Sequence, residues 1–309
     1  MRGKNVMNFA RFLCGLMLSV CSCAGSAHES AKEGSNTLTV AGVERHYVLR
    51  AAPAVLGGVR RVPLVLVLHG GGGNAGFAER MTGFTEKALK EGFIVVYPDG
   101  SGRFKGSLLT WNAEHCCGYA MEQKIDDVGF ISTLIDRLVA ETPVDPRRVF
   151  VTGMSNGGMM THRLGQELSQ KITGIAPVVA TVFGDEKLPA KPVAALMING
   201  MRDASVPYLG GPPGGRFPSA WDGTPALPAL EQAAFWAQAN ACDREPEVSE
   251  KGALVHRRYR CPSGQAVELY GVKDNGHAWP GGKAGSARGD TPSQAMNATD
   301  VMWRFFQAQ

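Results

Sequence analysis

The sequence lacks the marks of several large function classes. It holds no His-Glu-x-x-His, no paired Cys-x-x-Cys and no Walker phosphate loop, so no metal or organic cofactor is expected. It also lacks internal repeats, long charge runs and any stretch that reads as a linker to a second module. No apolar run reaches the ~20 residues that a bilayer core requires, so no integral membrane span is expected. Charged residues are sparse at 19%, while hydrophobic residues reach 44%, which excludes disorder and coiled coil and leaves a soluble globular chain. The formal charge of +4 comes largely from Arg2, Lys4 and Arg11, and past residue 27 there are 29 bases against 28 acids. A near-neutral body gives no electrostatic footprint for nucleic acid.

What is present begins with a leader. Residues 1–27 carry a basic start, an apolar stretch at 12–20 and a small-residue end at 22–27, the tripartite pattern of an export signal. Secretion or passage to a periplasm is expected. Val20-Cys-Ser-Cys23 also resembles a lipobox, which keeps lipid anchoring as a lesser alternative. Export permits disulfides among the four remaining cysteines. Cys242 and Cys261 bracket a short polar hairpin-like segment and are the expected pair, whereas Cys116 and Cys117 are left open as thiols or a vicinal bridge.

Beyond the leader, short apolar runs at 37–40, 45–50, 64–68, 93–97, 149–152, 175–179, 194–198 and 267–270 read as strands. Helical patterns lie at 77–90, 127–140, 158–168, 229–239 and 298–306. This alternation predicts an α/β fold with a mostly parallel sheet covered by helices on both faces, and chemistry in the loops at the carboxyl ends of the strands. Residues 209–228 form one long Gly/Pro-rich irregular stretch, either a lid or a tolerated insertion.

Four segments carry chemistry. Gly153-Met-Ser155-Asn-Gly157 joins a β-branched run to a helical pattern, the context in which Gly-x-Ser-x-Gly presents a nucleophile on a tight strand-to-helix turn. His69-Gly-Gly-Gly-Gly-Asn74 follows a strand, where the amides of Gly71 and Gly72, with that of Asn156, could meet a developing oxyanion. The same glycines satisfy a dinucleotide fingerprint, Gly71-x-Gly73-x-x-Gly76 with Asp99 ending the next strand, which would make the protein an oxidoreductase. That rival leaves the serine turn without a purpose. Of seven histidines, His277 directly follows the last apolar strand and is the best placed base, while His69 reads as a loop brace. Asp203 lies just past the end of the run at 194–198 and supplies the acid, with Asp185 and Asp222 as fallbacks. Ser155, Asp203 and His277 then follow the chain order of α/β-hydrolases.

With Thr110-Trp-Asn112, Cys116-Cys-Gly118, Asp126-Asp-Val-Gly-Phe130, Val206-Pro-Tyr208 and Gly276-His-Ala-Trp-Pro-Gly281, these segments make the chain resemble the secreted polyhydroxybutyrate depolymerase and feruloyl esterase family of α/β-hydrolases. The resemblance implies one α/β-hydrolase catalytic domain over residues 28–309, a triad of Ser155, Asp203 and His277, and Trp111 and Trp279 lining the acyl or alcohol site, with plain core packing as the alternative for both tryptophans. It implies a serine esterase that needs no cofactor and acts on short-chain, feruloyl or acetyl polysaccharide, or hydroxyalkanoate esters. With no polymer-binding module after His277, soluble or small esters come first. A polyhydroxybutyrate depolymerase proper, an acyltransferase and a non-hydrolytic binding module are the competing readings.

Overall fold

The computed structural model describes residues 1–3, 30–215, 217–262, 264–285 and 289–309. The export reading of 1–27 therefore lies, apart from residues 1–3, outside the described residues. Ala31–Gln309 forms one unit built on a single sheet.

A hairpin opens it: β1 (Gly34–Val40) and β2 (Val43–Arg50) turn through Ala41 and Gly42, both at positive φ, the backbone a two-residue hairpin turn needs. The chain continues through α1 (Pro53–Leu56), β3 (Val62–Leu68), α2 (Ala75–Thr82), α3 (Phe84–Glu91), β4 (Ile94–Pro98), α4 (Gly118–Glu122), α5 (Asp127–Glu141), β5 (Val144–Met154) and α6 (Asn156–Glu167). Then follow β6 (Gly174–Val178), β7 (Ala194–Gly200), α7 (Ala229–Ala239), β8 (Glu247–Lys251), β9 (Leu254–Tyr259), β10 (Val267–Val272) and α8 (Ala298–Gln307). The sheet order is β1-β2-β4-β3-β5-β6-β7-β10-β9-β8. From β4 to β10 every neighbouring pair is parallel, while antiparallel strands border that centre on both edges.

Two hydrophobic layers cover the sheet, and strand periodicity decides which residue joins which. Leu64, Leu66 and Leu68 of β3 pack on one face with Phe130 and Leu134 of α5, Met160 and Leu164 of α6 and Trp236 of α7. Their neighbours Val65 and Val67 pack on the other with Ala78 of α2, Phe84 of α3 and Phe306 of α8. Burial on both faces is why β3 reads as an unbroken apolar run. Each such fully buried side chain contributes ~1.5–3 kcal/mol, so the central strands form a stiff base for the loops above them.

Two expectations are corrected. The helical pattern at 77–90 is two helices, because Gly83 adopts a left-handed φ of 70° that ends α2 and lets buried Phe84 start α3 on a new axis. The edge strand β8 has no counterpart among the runs above: all five of its residues are exposed, so no apolar alternation marks it. Cys242 and Cys261 are joined across the β8–β9 hairpin, and closing a loop of that length contributes ~3 kcal/mol in the chain-entropy model. No helix among the described residues is long and apolar enough to cross a membrane.

Candidate active site

The carboxyl ends of β5, β7 and β10 carry the three residues of interest. Ser155 stands between β5 and α6 at φ 57°, ψ −126°, a backbone strained for a side-chain-bearing residue. Its amide donates to the Val178 carbonyl at the end of β6 (2.9 Å), which helps hold the turn. The flanking glycines are steric necessities: a Cβ on Gly153 would strike the Gly157 carbonyl, and one on Gly157 would strike the His69 carbonyl. The Ser155 hydroxyl makes no hydrogen bond among the described residues, at the positive end of the α6 dipole.

Three residues past β7, Asp203 is buried, its side chain only 1% exposed. Its Oδ1 accepts the amides of Ser205 (2.7 Å) and Val206 (2.9 Å), and its Oδ2 meets His277 Nδ1 at 2.7 Å. Since the carboxylate only accepts, Nδ1 of His277 carries a proton, and in the neutral ring the lone pair is then on Nε2. The structure thus brings His277, five residues past β10, onto Asp203 and onto neither fallback acid. Asp222 Oδ2 and Asp185 Oδ2 instead flank His115, at 2.8 Å from Nδ1 and 3.0 Å from Nε2.

The glycine loop after β3 is fixed by His69. This buried ring donates from Nδ1 to the Gly70 carbonyl (2.8 Å) and accepts the Gly100 amide at Nε2 (3.0 Å). Burial first, then the charge of Arg45, lowers its pKa to about 4, so the ring is neutral near pH 7. Anchoring the Gly70 carbonyl turns the other edge of the same planar peptide, the Gly71 N–H, the opposite way. Gly71 approaches Asn156 closely enough that a Cβ there would lie 3.6 Å from the Asn156 Cβ. Asn156 uses its side chain to clamp the Trp111 backbone at 2.7 and 2.9 Å, and its own amide, first in α6, has no intrahelical partner. The amides of Gly71 and Asn156 are therefore available to an oxyanion. Gly72 is a correction: its amide is committed to the Leu109 carbonyl at 2.8 Å.

The two tryptophans are corrections as well. Trp111 is fully buried with its indole N–H on the His69 carbonyl (3.0 Å), and Trp279 is buried against Phe84 with its N–H on Thr299 Oγ1 (3.2 Å). Neither offers a face to substrate; both pack where an indole's apolar area and single donor are satisfied together.

The dinucleotide reading fails on Asp99. Its carboxylate accepts the Ala75 amide (2.6 Å) at the start of α2, and Asn74 caps the same turn through Phe77. The helix end where a pyrophosphate would sit already holds a carboxylate, and the acid meant for the ribose is spent. The sequence marks Asp127 only within the Asp126–Phe130 motif and gives neither it nor Arg45 a role; the two meet at 2.7 Å in the interior, with Arg45 over the Phe130 ring and Asp127 accepting the Asn112 amide. They brace the 111–113 segment from below; the signal was the paired acids at the start of an apolar helix. Cys116 and Cys117 are joined to each other, and Cys116 Sγ lies 3.7 Å from Asn156 Nδ2.

Known proteins resemble this chain in sequence and in fold. The family model described as Esterase PHB depolymerase matches residues 45–211. Feruloyl esterase B of Piromyces equi is 30% identical over 75% of this chain, which spans 42% of that protein's length. The NocK protein of Nocardia uniformis subsp. tsuyamanensis is 31% identical over 79% of this chain and 73% of its own length. Among solved structures, the acetyl xylan esterase from Aspergillus awamori superposes with a TM-score of 0.58 over 89% of this chain and 100% of its own at 13% identity, a likeness of α/β-hydrolase fold.

Proposed function

The chain belongs to the esterase PHB depolymerase family, and from that premise we propose that it is a serine carboxylic-ester hydrolase, exported from the cell, that works through an acyl-enzyme. The observation that carries this reading is the Asp203–His277 contact, a buried acid fixed by two amides and bonded to an imidazole whose other nitrogen is free. Ser155 Oγ attacks the ester carbonyl while His277 Nε2 takes its proton. The tetrahedral alkoxide forms between the amides of Gly71 and Asn156, donors already oriented before reaction. Collapse breaks the ester C–O bond and His277 returns the proton to the leaving alcohol. Water then attacks the acyl-enzyme with His277 again as base, releasing the acid and restoring Ser155.

The relatives' names point to feruloyl, acetyl or hydroxyalkanoate esters as substrates. Export is supported by the leader pattern together with the Cys242–Cys261 bridge. The test is turnover of p-nitrophenyl acetate, methyl ferulate, acetylated xylan and short hydroxybutyrate oligomers by the protein and by Ser155→Ala. Measurable hydrolysis of at least one ester that disappears in the variant is expected; equal rates would overturn the proposal.

A further inference from the structure

The segment that carries His277 is held from behind by a second carboxylate. Asp290 Oδ2 accepts the backbone N–H of His277 at 2.6 Å. The preceding residue bears the mark of the same contact: a Cβ added to Gly276 would collide with Oδ2 and Cγ of Asp290. Other bonds secure the surrounding loop. Asn275 Nδ2 donates to the carbonyls of Gly276 (2.8 Å) and Ala278 (2.9 Å), Asn275 Oδ1 accepts the Ser293 amide (2.9 Å), and Ser293 Oγ donates to Asp274 Oδ1 (2.7 Å). The Asn275 carbonyl in turn accepts the Arg202 amide (3.0 Å), tying the loop to the turn that presents Asp203. All of these grip residues beside the histidine. Asn275 and the Ala278 amide hold the carbonyl edge of the Gly276–His277 peptide, and Asp290 is the partner, among the described residues, of its N–H edge; it binds there with a charge-assisted bond, about twice as strong as a neutral one.

Resting on the triad reading above, we propose that Asp290 is a positioning residue for the proposed catalytic imidazole: its carboxylate fixes the His277 backbone so that Nδ1 stays on Asp203 and Nε2 stays free for the Ser155 proton. The contact needs an acceptor at this position more than a charge, and it needs a residue without a Cβ at 276. It acts on a step in which small misplacement matters, since about 1 Å of error in a reacting group can lower a rate ~100-fold.

The test is a set of variants assayed for kcat and KM separately on p-nitrophenyl acetate. Asp290→Ala is expected to lower kcat ~10–100-fold with KM within about twofold, because a positioning role acts on the reacting imidazole rather than on ester binding. Asp290→Asn keeps an oxygen acceptor and is expected to restore kcat to within about fivefold of the parent. Gly276→Ala is expected to be as damaging as Asp290→Ala in the parent, yet to add little in the Asp290→Ala background, where the colliding carboxylate is gone. The downfield proton resonance of His277 Nδ1–H, assigned by its absence in His277→Ala, should shift or broaden in Asp290→Ala and persist in Asp290→Asn. If Asp290→Ala folds and keeps parent kcat, or if Ala and Asn are equally impaired, the inference is overturned. Should Asp290→Ala fail to fold, Asp290→Asn and Gly276→Ala still decide it through the kcat split and the resonance. His277→Ala separates the two claims: parent-like activity there sinks the triad reading, whereas an inactive His277→Ala beside an unaffected Asp290→Ala sinks this inference alone.

Discussion

Two histidines in this protein sit on aspartates at nearly the same distance, and they are built for opposite purposes. His277 has one nitrogen on Asp203 and the other free; Asp203 is 1% exposed and its second oxygen is held by two amides. His115 has both nitrogens on carboxylates, Asp222 and Asp185, whose side chains are 41% and 64% exposed, and Thr224 Oγ1 adds a contact to Nδ1 at 3.0 Å. Two acceptor-only partners require two N–H donors, so His115 is an imidazolium clamp with no lone pair to offer. It ties together three loops that leave the carboxyl ends of β4, β6 and β7, including the Gly/Pro-rich stretch, whose Trp221 pairs with Cys116. A base needs a free nitrogen and a dry, fixed acid; a clasp needs neither.

That contrast is open to direct attack. His277→Ala should lower kcat by ~10³–10⁶, as removal of a triad base does, while His115→Ala should change it less than about tenfold; comparable losses would erase the distinction. Asp203→Asn should cost ~10⁴ in kcat by favouring the wrong tautomer, and Asp222→Asn should stay within a few-fold of the parent, both read from initial rates. Replacing Cys242 and Cys261 together by serine should lower unfolding free energy in urea by ~3 kcal/mol with kcat unchanged, since that bridge closes an edge hairpin rather than the rim.

The smallest effects are those of pH. Partial burial by itself lowers the His115 pKa, but hydrogen bonds and charge from Asp222 and Asp185 more than reverse this and hold it above the usual histidine value. A raised folded pKa means that the clasp is fully stabilising below about pH 6.5 and weakens as pH rises through the raised value. The difference in Tm between parent and Asp222→Asn should therefore be larger at pH 6 than at pH 9. His69 and His162 run the other way: burial lowers them to about 4 and about 3, so the unfolded chain binds protons first and stability should fall as pH drops from about 6.5 toward 4. A urea midpoint unchanged between pH 7 and pH 5 would contradict this.

The central strands and the placement of Ser155, Asp203 and His277 at strand ends were legible because burial on both faces leaves continuous apolar runs, and a residue just past such a run lies at the functional edge. What escaped the sequence depends on choices that no local pattern records. Gly71 and Gly72 are chemically identical, and only the Leu109 carbonyl, far along the chain, decides which amide is spent. Trp279 follows His277 by two residues yet turns away into the layer under α8, where Thr299 takes its N–H. Asp290 is one exposed aspartate among many until its contact with the His277 amide is seen. Gly83 interrupts a run that is helical on either side, so periodicity alone spans the break.

The most direct measurement is covalent labelling with a fluorophosphonate followed by peptide mapping. The account predicts one adduct, on Ser155, with parallel loss of esterase activity and little labelling in His277→Ala. An adduct on another residue, or full activity in the labelled protein, would contradict it.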